Sequence, residues 1–578
     1  MTEIPDKWII RYNQDHTGRK TYQGYSSAFS RLLTARGLKE KKDIEAFIRP
    51  SLSELYDPFL IPGMQPATEG LKYAIDNGQK ILVFGDYDAD GIISSALIYN
   101  FLKVLGVDVD AYIPDRVSEG YDLGVDIIRS VTGKRDLILC VDCGTNNLDS
   151  QQHVLCHEEA PRVIACDHHN PTLNDYTDNS RYIIVNPRLP GSGYPFKDLS
   201  GGGVTFKFLI AVLRSLESRV KKRFKKDYLN TLLDLVAIST MADLMPLVDE
   251  NRTLVKKGLK RMPKTLNHGL KALIDVCISD RSHIMENDVG FVLAPRINAA
   301  GRVKEAIDSF RLLSVDDTGD KINIARKLDA LNRKRQEQQK KIFEEIITGN
   351  NFKENIQGAK IYIDCSSCWN EGVLGIVASD ILKEFNIPVI LFRDRQGVLK
   401  GSGRSIPEFR LHHNLLSLAH LFIRFGGHDL ACGITMEKSR FEEFKRKMTA
   451  AAGSALSDGD IIKRHRYDME LSFGEIERRF LKEIQMLRPF GKGNPVPSFV
   501  TRDCVVRAVK SIKDGRHVKM RLVNGGRSFE GILFNIGPEK GSMLSAGKVL
   551  DILYDLTLNS WMGQERIQLV IRDLFQKN

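Results

Sequence analysis

The chain carries 578 residues, with 84 Lys plus Arg against 73 Asp plus Glu, for a formal charge of +11. Its 42% hydrophobic and 27% charged content excludes global disorder, and it has no uncharged apolar run of about 18 residues to cross a bilayer. The length suits about three to five domains, and nine cysteines are too sparse and odd a set for a disulfide framework.

The N-terminal MTEIPDKWIIRYNQD lacks the apolar run of a signal peptide, so a reducing cytoplasm is the expected compartment. Residues 1–75, punctuated by Pro50, Pro58, Pro62 and Pro66, read as an N-terminal extension packed on the domain after it. Short apolar strands come next at Ile81–Phe84, Val107–Ile113, Leu137–Val141, Val163–Cys166 and Tyr182–Val185, with helical spacing between them, as in Ser94–Leu105. This alternation predicts an α/β domain with a largely parallel sheet over residues 76–320. Residues 203–312 turn mostly helical, including Tyr228–Val248. Lys321–Thr348 is free of Gly and Pro, highly charged and only partly amphipathic, which fits a connecting helix over 321–350. Strand patterns at Ala359–Asp364 and Val389–Phe392 open a second, smaller α/β domain over 351–457. The segment 458–578 holds five glycine-punctuated β stretches between Phe499 and Ile571, and a small β-barrel of the OB type is expected there. Residues 461–578 carry 21 basic and 13 acidic side chains, so +8 of the +11 lies in the last fifth of the chain. A basic barrel points to a polyanion partner, with nucleic acid first among the candidates.

Acids and histidines fall where predicted strands end. The first strand runs into Gly85-Asp86-Tyr87-Asp88-Ala89-Asp90-Gly91, the third into Asp142-Cys143-Gly144, and the fourth into Asp167-His168-His169. In a parallel sheet the carboxyl ends of neighbouring strands share one edge, where ligand sites form. Carboxylates brought together repel one another and need compensation, which divalent cations supply. Mixed Asp/His ligation suits Mn²⁺ or Mg²⁺, and zinc tolerates the same donors. A strand-end aspartate can instead cap a helix, and Asp90 is placed to cap the one starting near Ile92. Three such clusters together favour the metal. Asp243, at the end of an apolar helical pattern, is a fourth contributor, and Asp115 a weaker one.

The segments Asp-Tyr-Asp-Ala-Asp-Gly, Asp-Cys-Gly, Asp-His-His and Met-Ala-Asp resemble the four motifs of the DHH phosphoesterase superfamily. Pro295–Arg302 (PRINAAGR), Leu331–Gln336 (LNRKRQ) and Pro489–Pro495 (PFGKGNP) narrow the resemblance to its RecJ family of single-strand-specific exonucleases, in the expected order from about residue 50 onward. The resemblance implies metal ligands at Asp86, Asp88, Asp142, His168 and Asp243, with Asp142 bridging two divalent cations, Mn²⁺ or Mg²⁺. It gives His169 contact with the scissile phosphate or support of the metal shell, with Asp142 and Asp90 counted beside it as catalytic. It further implies a DHH-associated second domain in which Ser402, Arg404, Ser405, Gly426, Gly427 and His428 hold the DNA 5′ end. The implied activity is 5′→3′ degradation of single-stranded DNA to mononucleotides in repair and recombination. The implied setting is a monomer free of membranes, served by a single-strand-binding protein and a helicase.

Arg296, Asn298 and Arg302, the basic helix around Arg326–Lys341, and Arg502, Arg507, Lys510, Lys513, Arg516, Lys519, Arg521 and Arg527 of the barrel are expected to line the strand's path. Phe499, Phe529, Phe534 and Trp561 are the candidates for stacking on bases. One departure is Asn370, where relatives commonly have His. The pairs Cys140/Cys143 and Cys365/Cys368 have no zinc-finger spacing between them, and no Walker-type loop indicates a motor. Two other readings are a small-substrate phosphoesterase, disfavoured by the basic barrel, and a non-catalytic scaffold, disfavoured by the complete set of matched ligands.

Overall fold

A computed structural model describes residues 7–12, 21–114, 122–172, 179–303, 306–315, 320–349, 352, 360–512, 517–536, 544–561 and 564–576. The candidates Asp115, Lys513 and Arg516 lie outside these residues, and so do the side chains of Arg302 and Trp561. Two compact units are interleaved along the chain. Residues 1–57, 244–260 and 464–578 build one, and 58–243 with 261–463 build the other.

Of the N-terminal extension expected to pack on the domain after it, residues 58–75 belong to the unit that contains that domain, whereas residues 1–57 join the C-terminal segment. Their strand β1 (Trp8–Ile10) belongs to the first unit. The second unit begins with β2 (Ile81–Gly85), β3 (Val109–Tyr112), β4 (Leu137–Val141), β5 (Arg162–Cys166) and β6 (Tyr182–Val185), a fully parallel sheet in the order β3-β2-β4-β5-β6. Every residue of β2 and β4 is buried, because helices cover both faces, and this is why these strands are continuous apolar runs. The helix Ala89–Val104 is buried from Ala89 through Leu102, so it shows no polar stripe. The predicted helix Tyr228–Val248 is broken, with Leu233–Ala242 ending at Asp243 and Leu244 taking a left-handed φ of 53°.

The connecting helix Lys321–Thr348 is continuous. Its Asp329 receives Arg296 from the first lobe, and its Ile342 and Ile346 join Trp369, Val373 and Val377 in the core of the second. The second lobe holds β7 (Tyr362–Ser366), β8 (Val389–Arg395), β9 (Val398–Arg404), β10 (Phe422–His428) and β11 (Ala431–Glu437) in the order β10-β11-β9-β8-β7. Only the β7–β8 pair is parallel. Ser402 and Arg404 thus lie on β9, and Gly426, Gly427 and His428 on β10.

In the first unit β1 pairs in parallel with β12 (His465–Tyr467), followed by β13 (Met469–Glu470). The barrel is made of β14 (Ser498–Ile512), β15 (His517–Asn524), β16 (Arg527–Phe534), β17 (Val549–Trp561) and β18 (Gln564–Gln576), closed by the β14–β17 pairing. Closure removes the open sheet edges. Phe29, Leu32, Leu33 and Ile44 of the N-terminal helices share one core with Phe480, Val506, Leu522 and Tyr554.

A buried charge cluster fixes this arrangement. Asp468, fully buried, accepts bonds from Arg36, Arg11 and the Ser498 N–H. Arg36 also donates to Asn494 Oδ1 at 2.7 Å, and Asn494 Nδ2 donates to the Leu487 and Pro489 carbonyls, so the PFGKGNP segment is tied to the N-terminal helix. Removing one member of a buried, hydrogen-bonded ion pair costs about 3–5 kcal/mol. Asp468→Ala is expected to lower the unfolding free energy in urea by that order, with Asp468→Asn intermediate; a stability equal to that of the parent chain would refute the assignment.

Candidate active site

The acidic residues converge because adjacent parallel strands end at the same level. β2, β4 and β5 are consecutive in the sheet, so Asp86 and Asp88, Asp142, and His168 and His169 emerge side by side. Ligand atoms of Asp86, Asp88 and Asp142 lie within 4.8 Å of one another, as do those of Asp90, His168 and Asp243, and those of Asp142, His168 and His169. All five expected ligands are thus in one place, with Asp90 and His169 also in range.

Backbone and helix ends hold each group. Asp142 has φ 61°, a left-handed conformation that Asp tolerates better than most residues. A Cβ on Gly201 would lie 2.5 Å from Asp142 Oδ1, so only glycine admits the helix Gly201–Ser215 this close. Asp88 caps the helix Ala89–Val104, accepting the Asp90 and Gly91 N–H groups. Asp90, by contrast, accepts the Gly201 and Gly202 N–H groups at 2.8 and 2.9 Å and the Ser239 hydroxyl. Its carboxylate anchors three helices and sits at a helix N-terminus, where negative charge is favoured. The sequence signal for this was the run Ser200-Gly-Gly-Gly203 before a helix. Asp243 ends the helix Leu233–Ala242 with its side chain one-third exposed.

Asn298 and Gly301 press the acidic loop from a fourth helix, Ala294–Val303. Asn298 Oδ1 accepts the Ala89 N–H at 2.8 Å, and a Cβ on Gly301 would meet the Tyr87 carbonyl at 2.8 Å. Asn298 is therefore engaged with the loop that carries Asp86 and Asp88. Arg296 is held by Asp329 at 2.8 and 2.9 Å.

The electrostatics match a cation-shaped gap. Burial, then repulsion from Asp90, Asp88, Asp86 and Asp243, pushes the Asp142 carboxyl well above the usual carboxylate range. Burial and Asp90 raise Asp88 too. Burial lowers His168, keeping its imidazole neutral, the form in which histidine ligates metals. For His169 burial works downward, but the Asp167 hydrogen bond and charge outweigh it and raise the ring to about 9. Asp167 accepts His169 Nδ1 at 2.8 Å, and this contact overcomes the upward pull of burial and holds its carboxyl well below the usual range. Asp142 Oδ1 is buried without a hydrogen-bond donor, although His168 Nε2 is only 3.1 Å away. A buried carboxylate oxygen without a donor, this close to an imidazole nitrogen, fits a shared cation.

In the second lobe the expected phosphate residues form rows across three strands. Ser402, Gly433 and Gly426 are in register, then Gly403, Cys432 and Gly427, then Arg404, Ala431 and His428. Arg404 donates to Ser402 Oγ at 3.0 Å, and a Cβ on Gly375 would lie 2.6 Å from Arg404 Nη2. His428 is exposed, whereas buried Ser405 spends its hydroxyl on the Phe409 carbonyl. Asn370 caps the helix Glu371–Phe385 and donates to Gln338 Oε1 at 2.9 Å, tying that helix to the connecting one.

On the barrel, Lys519 and Arg521 line a groove of about 670 Å³ with Arg478, Arg566 and Phe529. Lys519 pairs with Glu530, Arg502 is held by Glu470, and Arg507 is exposed. Phe499 is core, Phe529 packs edge-on against Phe473, and Phe534 is exposed.

Three family models match this chain: the DHH family N-terminal domain at residues 80–240, the DHHA1 domain at 357–454 and the RecJ OB domain at 467–573. The single-stranded-DNA-specific exonuclease RecJ of Bacillus subtilis (strain 168) is 34% identical over 98% of this chain and 70% of its own. That of Escherichia coli (strain K12) is 30% identical over 94% of this chain and 95% of its own. The chain belongs to the RecJ family. Crystal structures of RecJ from Thermus thermophilus with Mn²⁺ and with Mg²⁺ match it at TM-scores of 0.80 and 0.75, each 28% identical over 96% of this chain and covering 76% and 75% of theirs. The expected order of DHH domain, DHH-associated domain and OB barrel is the observed one, and the Asp/His cluster of this RecJ-family chain fits the Mn²⁺ or Mg²⁺ of those structures.

Because Asp142 and Asp88 are raised on folding, they stabilise the metal-free protein at low pH and lose that contribution as pH rises through their folded values. Cation binding displaces the protons. The Tm increment given by Mn²⁺ is therefore expected to be larger near about pH 8 than near about pH 6, with proton release seen by calorimetry in buffers of different ionisation enthalpy. Equal increments at both pH values would contradict it.

Proposed function

We propose that this protein is a two-metal exonuclease that degrades single-stranded DNA from the 5′ end to mononucleotides, in DNA repair and recombination. The observation that carries the reading is the Asp/His cluster at three adjacent strand ends, with an undonated, buried Asp142 oxygen at its centre, in a chain of RecJ-type domain order. Asp86, Asp88, Asp142, His168 and Asp243 would hold two divalent cations, which when bound activate water and offset charge at phosphorus. His169, charged at neutral pH and half-exposed, presents Nε2 to a non-bridging phosphate oxygen while Asp167 fixes its Nδ1. Asp90 acts through the helix ends it joins.

The second lobe supports the 5′→3′ direction. Arg404 is suited to bidentate phosphate binding, and it lies across the sheet from His428 and the glycine-rich strand, where exposed backbone admits a terminal phosphate. Captured there, the 5′ end would set which bond meets the metal cluster. The barrel groove, with Lys519 and Arg521, supports a path for the backbone of the strand. The reading takes the protein to act as a monomer. Among the described residues no helix is long and apolar enough to cross a membrane, and the reading places the protein in the cytoplasm. An enzyme confined to single strands and lacking a motor motif needs a helicase to expose its substrate and meets a single-strand-binding protein on it.

The deciding experiment digests 5′-labelled and 3′-labelled single strands, duplex DNA and RNA with Mn²⁺, Mg²⁺ or EDTA. Early release of the 5′ label from single strands, abolished by EDTA and by Asp142→Ala, is expected, with Arg404→Ala raising KM most for 5′-phosphorylated ends. First release of the 3′ label, or preference for duplex, would refute the reading. For the barrel, the Lys519→Ala/Arg521→Ala double variant is expected to flatten the log–log salt dependence of binding by about 0.7 for each phosphate no longer neutralised. An unchanged slope would remove those residues from the path.

A further inference from the structure

Asn186, just past the end of β6, is fully buried and is used by none of the chemistry above. Its Nδ2 donates to Thr145 Oγ1 at 3.0 Å and to the His169 carbonyl at 2.9 Å, while its Oδ1 accepts the Arg188 N–H at 2.8 Å. Thr145 in turn donates its N–H to Asp167 Oδ2 at 3.0 Å, and Asp167 Oδ1 accepts His169 Nδ1 at 2.8 Å. These bonds close a ring through Asn186, Thr145, Asp167 and His169, drawn from the ends of three adjacent strands.

The ring fixes His169 at two points. Its carbonyl is held by Asn186 and its Nδ1 by Asp167, which leaves Nε2 as the outward face of an imidazole whose side chain is 46% exposed. A half-exposed imidazole would otherwise sample several rotamers. The same bonds join the loop of Asp142 to the loop of His168. The direct support of His168 is separate, since the Asp167 carboxylate accepts its N–H without help from Asn186.

We propose that Asn186 is a positioning residue for the phosphate-facing histidine, and that it acts through Thr145 and the His169 carbonyl rather than through the metal ligands. This rests on the role given to His169 in the proposed function. A carboxamide is suited to the task because one NH₂ group serves both acceptors while the oxygen takes the Arg188 N–H. Such outer-shell contacts are typically worth about 10–100-fold in activity or metal affinity.

The test uses the full chain with Mn²⁺ and a 5′-phosphorylated oligonucleotide. Asn186→Leu, close in shape and without a donor, and Thr145→Val, which removes the hydroxyl that accepts from Asn186 and bonds the Asp167 carboxylate, are each expected to lower kcat by about tenfold or more. KM and the calorimetric Mn²⁺ affinity are expected to stay at the parent values, and Thr145→Ser, which keeps the oxygen, to restore most of kcat. Should Asn186→Leu fail to fold, Asn186→Ala takes its place beside the Thr145 pair. Parent-like kcat in Thr145→Val, or a loss that shows up in Mn²⁺ affinity instead, overturns the proposal. His169→Ala separates the two readings: if it retains parent activity, the role of His169 itself is refuted. If it loses activity while Thr145→Val does not, only the role of Asn186 is.

Discussion

Mutual repulsion among buried carboxylates is the constraint on which the rest of the second unit depends. Asp86, Asp88, Asp90, Asp142 and Asp243 occupy a few ångströms at the end of a sheet whose helices exclude water, and left alone such a group takes up protons. Asp142 and Asp88, pushed upward by burial and by their neighbours, show this directly. The surrounding structure answers by keeping the acids apart in role. Asp90 is assigned to the amide ends of a helix, Asp167 to a histidine, and the remainder are left aimed at a shared centre. A cation completes what the protein leaves open.

Four helices and two glycines enforce that geometry. The close approach of Gly201 to Asp142, the cap that Asp88 makes, and the pressure of Asn298 and Gly301 on the loop all restrict where carboxylates can relax. Relaxation would be favourable for the charges and useless for chemistry, so rigidity at these backbone positions is what makes the repulsion available to a metal.

Much of this was legible because strand ends announce themselves. An apolar run that stops at Asp86, at Asp142 or at Asp167-His168-His169 gives both the strand and the group it delivers, and the long helix Lys321–Thr348 is uninterrupted in sequence and structure alike. The strand setting of Ser402, Gly426 and Gly427 left no trace in the sequence, because the glycines there sit within strands, where small residues admit close approach instead of turning the chain. Asn186 and Ser239 carried no local signal at all, since an isolated amide or hydroxyl gains its role only from partners far away in sequence. The pairing of Arg36 with Asp468 is of the same kind, separated by hundreds of residues and invisible to periodicity.

The interleaving of the two units bears on how the chain comes into being. The helices that carry Phe29, Leu33 and Ile44 find their core partners only in a segment synthesised hundreds of residues later. At roughly 5–20 residues per second of translation, those apolar faces wait on the order of half a minute to two minutes for Phe480, Leu522 and Tyr554 to emerge. The unit bearing the metal cluster can meanwhile form around its parallel sheet. Synthesis order therefore lets residues 58–463 mature, apart from 244–260, before the helices that precede them find their core.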